Sequence, residues 1–87
     1  MLYTVDFTPQ AIEDFTRIDK AIAQNIANKI EWLSQNAELI VHISLKGKFA
    51  GKYKLRVGSW RVIYSIEYDS NNITIYSVRH RQNVYKI

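Results

Sequence analysis

The stretch GKYKLRVGSWR, residues 51–61, constrains the fold more than any other part of the chain. Lys52, Lys54 and Arg56 alternate with Tyr53, Leu55 and Val57. Successive side chains of a strand point to opposite faces of a sheet, so the alternation predicts a half-buried strand with one apolar and one cationic face. Gly58-Ser59 then supplies the two central residues of a tight turn, with glycine first as a type II′ turn requires. Val57 must face Trp60, and the register follows from there. Leu55 falls opposite Val62 and Tyr53 opposite Tyr64 on the apolar face, while Arg56 falls opposite Arg61, Lys54 opposite Ile63 and Lys52 opposite Ser65 on the other. Like charges directly opposite one another are destabilising. Arg56 facing Arg61 is therefore a cost that folding alone does not explain, and an anion between them removes it.

The remaining elements follow from period and punctuation. Residues 2–7 read as a strand with Tyr3, Val5 and Phe7 on one face, and Thr8-Pro9 as the N-cap and first position of a helix carrying Ala11, Ile12, Phe15 and Ile18. Asp19 is the N-cap of a second helix, whose stripe is Ile22, Ile26, Ile30, Leu33 and Ala37, with Lys29, Glu31 and Gln35 toward water. Strands over 52–57, 60–68 and 72–79 complete the chain, joined at 58–59 and 69–71. The expected fold is a single α+β domain over 1–87: an N-terminal strand, a two-helix hairpin and a three-stranded antiparallel meander, with the helices on one face of the sheet. Residues 38–51 carry no decisive pattern, only a short apolar run at 39–43 and a loop-like LKGKFAG. The predicted core includes Phe7, Phe15, Trp32 and Tyr64, with Tyr53 and Trp60 added by parity. His42, beside an apolar run, reads as structural.

At 87 residues there is room for one core and no second domain. The chain has no cysteine and two histidines, so thiolate metal sites and disulfides are excluded; no metal and no cofactor are called for. No apolar run approaches the roughly 20 residues that span a bilayer, and MLYTVDF lacks the pattern of a secretory leader. A cytoplasmic protein without a membrane partner is the expectation. The net charge of +4 conceals an asymmetry. Up to Ser44 there are three basic residues against six acidic ones, and from Leu45 onward nine against two. A positive field concentrated in one half points to a polyanionic partner, either nucleic acid or an acidic protein segment.

The tail SVRHRQNVYKI adds Arg79, His80, Arg81 and Tyr85 after the last strand. Alternation there allows either Arg79 and Arg81 together, or His80 alone, to lie beside Arg61. Lys46, Lys48 and Lys86 lie in or near loops and read first as solvated surface charge.

LKGKFAGKYKLRVGSWRVIYSI followed by ITIYSVRHRQNVY resembles the RelE/ParE toxin superfamily over the whole chain, and its RelE-like mRNA interferase branch above all. The resemblance implies the toxin of a type II toxin–antitoxin system, an endoribonuclease that enters the ribosomal A site and cuts bound mRNA. It places catalytic groups at Lys52, Lys54, Arg61, Arg81 and Tyr85, with Arg56 a further basic position of the motif; Lys46, Lys48, Arg79 and His80 join Arg56 as expected RNA-binding positions on the strength of the basic field. In such a reaction the 2′-hydroxyl attacks the adjacent phosphate, which requires a proton acceptor, stabilisation of charge on phosphorus and a proton for the leaving 5′-oxygen. Lys52 or Lys54 would serve the first need, Arg61 the second, and Arg81 or His80 the third. Tyr85 would stack on or orient a base, although this chain ends two residues later. The implied partners are a cognate antitoxin, rich in acidic residues, and mRNA with ribosomal RNA; operator DNA would be reached through the antitoxin. Two other readings share the fold: a ParE-like inhibitor of DNA gyrase, and a module that only binds an antitoxin.

Overall fold

A computed structural model describes residues 2–82. Strand β1 (Thr4–Phe7), helices α1 (Pro9–Thr16) and α2 (Lys20–Asn36), strand β2 (Ile43–Ser44), a 3-10 turn (Gly47–Phe49) and strands β3 (Tyr53–Val57), β4 (Trp60–Glu67) and β5 (Asn72–His80) follow in chain order. They build a five-stranded sheet in the order β1-β5-β4-β3-β2. Its centre is the expected antiparallel meander β3-β4-β5. The expected N-terminal strand joins the meander as a parallel neighbour of β5, and two residues of the undecided segment form β2 on the edge of β3.

Both helices begin at the predicted caps. Thr8 Oγ1 accepts from the Ala11 N–H at 3.1 Å, and Pro9 takes the first turn, where its missing N–H removes nothing. Asp19 accepts from the Ala21 N–H at 3.3 Å. Such caps stabilise a helix by about 1 kcal/mol each. Ile26, Ile30 and Leu33 of α2, Ala37 at its C-cap and Ala11 of α1 then close onto Leu55, Val62, Tyr64, Ile73, Ile75 and Val78 of the sheet. Each fully buried aliphatic side chain contributes about 1.5–3 kcal/mol, so this single layer between helices and sheet carries the fold.

Two aromatics predicted for the core lie at its margin. Phe7 is 40% exposed at the end of the edge strand β1, where the Phe15 ring meets it edge-on at 5.7 Å. Trp32 is 38% exposed because it sits one residue off the 26/30/33/37 stripe, roughly 100° around the helix; the Lys29 ammonium lies 3.8 Å above its ring. Tyr64, by contrast, is fully buried, and Tyr53 and Trp60 pack on the core partly covered.

His42 is structural, as expected. Its Nε2 lies 2.7 Å from the Ala37 carbonyl, which can only accept, so Nε2 carries the proton. Nδ1 therefore accepts from the Tyr64 hydroxyl at 2.6 Å. Burial raises the Tyr64 pKa well above the ordinary phenol value, with the nearby Tyr53 and Tyr68 adding to the shift, which keeps that donor protonated. The bridge ties the end of α2 to the middle of β4.

The segment after His42 turns back over the face of the sheet opposite the helices. Leu45 buries Ile63 there, with Phe49 and Tyr76 packed alongside. That face is consequently not purely charged: a small apolar patch lies within it. No helix among the described residues is long and apolar enough to cross a membrane.

Candidate functional site

The hairpin register is the predicted one from Val57↔Trp60 to Tyr53↔Tyr64. Gly58 has φ of 59°, the left-handed value that glycine adopts without a Cβ clash. Among the described residues, Ser59 is not in that region, as a type II′ turn demands. On the face away from the helices, β3 and β4 bring Arg56 opposite Arg61, and β4 and β5 bring Arg61 opposite Arg79. Three arginines thus form one row across three strands. The next row holds Lys54, Ile63 and Ser77.

The third arginine reaches this row through an irregularity. Regular alternation from Ile73 and Ile75 would send Ser77 and Arg79 toward the core and Val78 away from it. A register shift at Ile63/Tyr64, where one residue of β5 is passed over, reverses the phase. Val78 turns inward and is 2% exposed, and Arg79 comes to the Arg61 face. A bulge re-aims every side chain beyond it. The apolar spacing 73, 75, 78 is the sequence trace of this bulge.

The row is not left as bare repulsion. The Arg61 guanidinium donates through Nη1 to the carbonyls of Gly58 at 3.0 Å and Trp60 at 2.9 Å, at the hairpin tip. Arg79 Nε lies 3.6 Å from Asp14 Oδ2 of α1, at the other side of β5. Arg56 is exposed, beyond the short stretch of β3 that β2 covers. The two flanking contacts lower the like-charge cost.

Beyond the Lys54 row, just before β3 begins, the Lys52 ammonium lies 4.8 Å above the ring of Tyr76, whose hydroxyl accepts from Ser65 at 3.2 Å. Tyr76 is a site neighbour that the sequence reading passed over; its place in the ITIYSV run, next to the bulge, is the signal that could have found it. Lys54 is half-buried and borders a groove of about 460 Å³ with Ser44, Leu45, Lys46 and Gly47. Lys46 and Lys48 are exposed at the 3-10 turn. The Arg81 N–H donates to the Ser59 carbonyl at 2.7 Å, which ties the chain after β5 to the hairpin tip near Arg61. His80 pairs with Trp60 in the sheet and meets its ring edge-on at 5.5 Å, in the row adjacent to the arginines and therefore on the helix face. Of the tail residues, Arg79 and not His80 is brought beside Arg61. Tyr85 and Lys86 lie outside the described residues.

The sequence profile described as the ParE toxin of type II toxin–antitoxin systems, parDE, matches residues 5–85. The chain is a type II toxin of the RelE/ParE superfamily. The toxin is 32% identical to a RelE-like toxin protein of Escherichia coli, with all of this chain and 94% of that protein aligned. It is 28% identical to Toxin RelG of Mycobacterium tuberculosis over 99% of each chain. Among solved structures, a chain of the RelBE2 toxin–antitoxin complex from Mycobacterium tuberculosis superposes with a TM-score of 0.83, at 28% identity and 93% coverage of both chains.

Proposed function

We propose that this toxin is an endoribonuclease that cuts mRNA, held in the ribosomal A site, by attack of a ribose 2′-hydroxyl on the adjacent phosphate. The observation that carries the reading is the row Arg56–Arg61–Arg79 with Lys54 in the next row. Guanidinium groups match phosphate oxygens through paired N–H donors. The 2′-oxygen forms a bond to phosphorus while the bond to the 5′-oxygen breaks, leaving a 2′,3′-cyclic phosphate and a 5′-hydroxyl. The 2′-hydroxyl proton passes to the amine nitrogen of Lys52 or Lys54, the other lysine stabilises the developing alkoxide, Arg61 binds the pentavalent phosphate, and Arg81 gives a proton to the leaving 5′-oxygen. Arg81 is preferred to His80 because its backbone is bonded to Ser59 beside Arg61, whereas the His80 ring packs on Trp60. Tyr85 remains the proposed base-stacking group, and Lys46 and Lys48 extend the field that RNA meets.

The proposed protein partner is a cognate antitoxin, supported by the toxin–antitoxin complex among the structural relatives. Val41 and Ile43 are 91% and 45% exposed in a groove they share with Lys54 and Arg56, and Leu39, nearby in sequence, is 81% exposed. An acidic, amphipathic segment fits this combination of apolar and cationic groups; operator DNA would be contacted by the antitoxin.

The ParE description of the matched profile favours one second reading, inhibition of DNA gyrase by binding. Purified toxin added to programmed ribosomes and, separately, to gyrase with supercoiled DNA distinguishes the two. Truncated mRNA with intact DNA supports the nuclease; intact mRNA with DNA breaks overturns it.

A further inference from the structure

β1 leaves β5 after the pair Phe7↔Ile75, and Thr8 closes the junction, its N–H donating to the Ile75 carbonyl and its hydroxyl to that of Tyr76. Beyond this point no strand among the described residues lies on that side of β5. A buried N–H without an acceptor there would cost about 1–3 kcal/mol. The N–H of Val78, directly after the bulge, instead donates to Asp14 Oδ2 at 2.9 Å. Asp14 is 7% exposed on α1, and its other oxygen accepts from Gln10 at 2.8 Å. A helix carboxylate thus stands where a strand carbonyl would be, at the residue whose inward turn sets the phase of Arg79. The same oxygen lies 3.6 Å from Arg79 Nε, a buried donor that has no hydrogen-bond partner among the described residues.

We propose that Asp14 is a positioning residue for RNA cleavage. This role rests on the nuclease reading above. Asp14 touches no substrate: it fixes the bulged register that presents Arg79 beside Arg61 and sets the path by which Arg81 reaches Ser59. It also draws the Arg79 guanidinium away from Arg61, which leaves room for a phosphate between them. The negative charge and the acceptor atom have separable effects, since asparagine keeps an acceptor for Val78 and removes the attraction for Arg79.

The test combines amide hydrogen exchange on the free toxin with cleavage kinetics on programmed ribosomes. In Asp14→Ala, protection of the Val78 amide should fall at least about tenfold while the amides of Leu55 and Val62 keep theirs, because the loss is local. Its kcat should fall by about tenfold or more with KM little changed, as misplacement of a reacting group does. Asp14→Asn should retain Val78 protection yet lower kcat several-fold, and combining it with Arg79→Ala should add little further loss. Unchanged Val78 protection in Asp14→Ala would overturn the register argument even if the toxin cut no RNA at all. Lost protection with unaltered kcat would overturn the role in cleavage alone. Should Asp14→Ala unfold, Asp14→Asn decides: wild-type kcat in that variant contradicts the proposal.

Discussion

Arg61 and Arg56 face each other across the β3–β4 hairpin, and the Arg61 guanidinium is bonded to the Gly58 and Trp60 carbonyls at the hairpin tip. The side chain therefore has a structural task as well as the proposed phosphate contact. Arg61→Ala should cost about 1 kcal/mol of stability, because two hydrogen bonds are lost at a part-exposed site. Cleavage should fall by about a hundredfold or more, the usual effect of deleting a donor to developing charge. Thermal melting and cleavage of the same sample separate the two; a melt that collapses, or cleavage that persists, contradicts the dual role.

Arg56→Ala should act with the opposite sign on stability. Removing one of two opposed cations relieves a cross-strand repulsion of about 0.2–1 kcal/mol, and Arg56 is exposed, with no side-chain hydrogen bond among the described residues to give up in exchange. The midpoint of urea unfolding should rise slightly or stay unchanged, while RNA affinity falls. A marked drop in the midpoint would show that Arg56 holds the sheet.

Much of this geometry was legible in the sequence because one turn and one alternation determine a hairpin. Gly58-Ser59 fixed every pair from Val57↔Trp60 to Tyr53↔Tyr64, and Thr8 and Asp19 marked the helix starts. The pairing of β4 with β5 was not legible, because the three-residue connection at 69–71 sets no unique register and the bulge near Tyr76 shifts the alternation by one residue. Asp14, which sits by that bulge, looks in the sequence like any polar residue of a short helix. The segment at 38–51 has little regular structure of its own, so its role in burying Ile63 could come only from tertiary contacts. Phe7 and Trp32 were misplaced because bulk and hydrophobicity say nothing of where an edge strand or a helix stripe ends.

Tyr76 should matter through its ring. Tyr76→Phe keeps the face on which the Lys52 ammonium rests and loses only the bond from Ser65, so cleavage should stay within about threefold of wild type. Tyr76→Leu removes the cation–π seat, and cleavage should fall about fivefold to tenfold, the rate equivalent of roughly 1 kcal/mol. Equal activity of the Phe and Leu variants would show that the ring does not position Lys52.

Alkaline stability follows from Tyr64. Its folded-state pKa is raised by burial, so the native state holds a proton that the unfolded chain releases above about pH 10. Stability contributed by this group is complete below that pH and declines as pH rises toward the raised value, by at most about 1.4 kcal/mol per pH unit. Tyr3, raised by burial and by its bond to Glu38, acts in the same direction. Tyr64→Phe should be less stable at neutral pH, having lost the bond to His42, but should show a shallower decline above pH 10. An equal slope in both proteins would place the titration elsewhere.

The charged face can be separated from the chemistry by replacing Lys52 and Lys54 with Gln, which removes two cations and keeps the alternating pattern. Ribosome binding by the wild type should weaken steeply with salt as condensed counterions cease to be released. The double variant should lose cleavage far more than binding, since the arginine row and the loop lysines remain. Cleavage of an mRNA bearing a single 2′-deoxy nucleotide at the cut position, on a programmed ribosome, tests the proposed internal nucleophile itself. The account predicts that the unmodified message yields a 2′,3′-cyclic phosphate end and that the deoxy message stays whole. A deoxy message cut at the normal rate would contradict it.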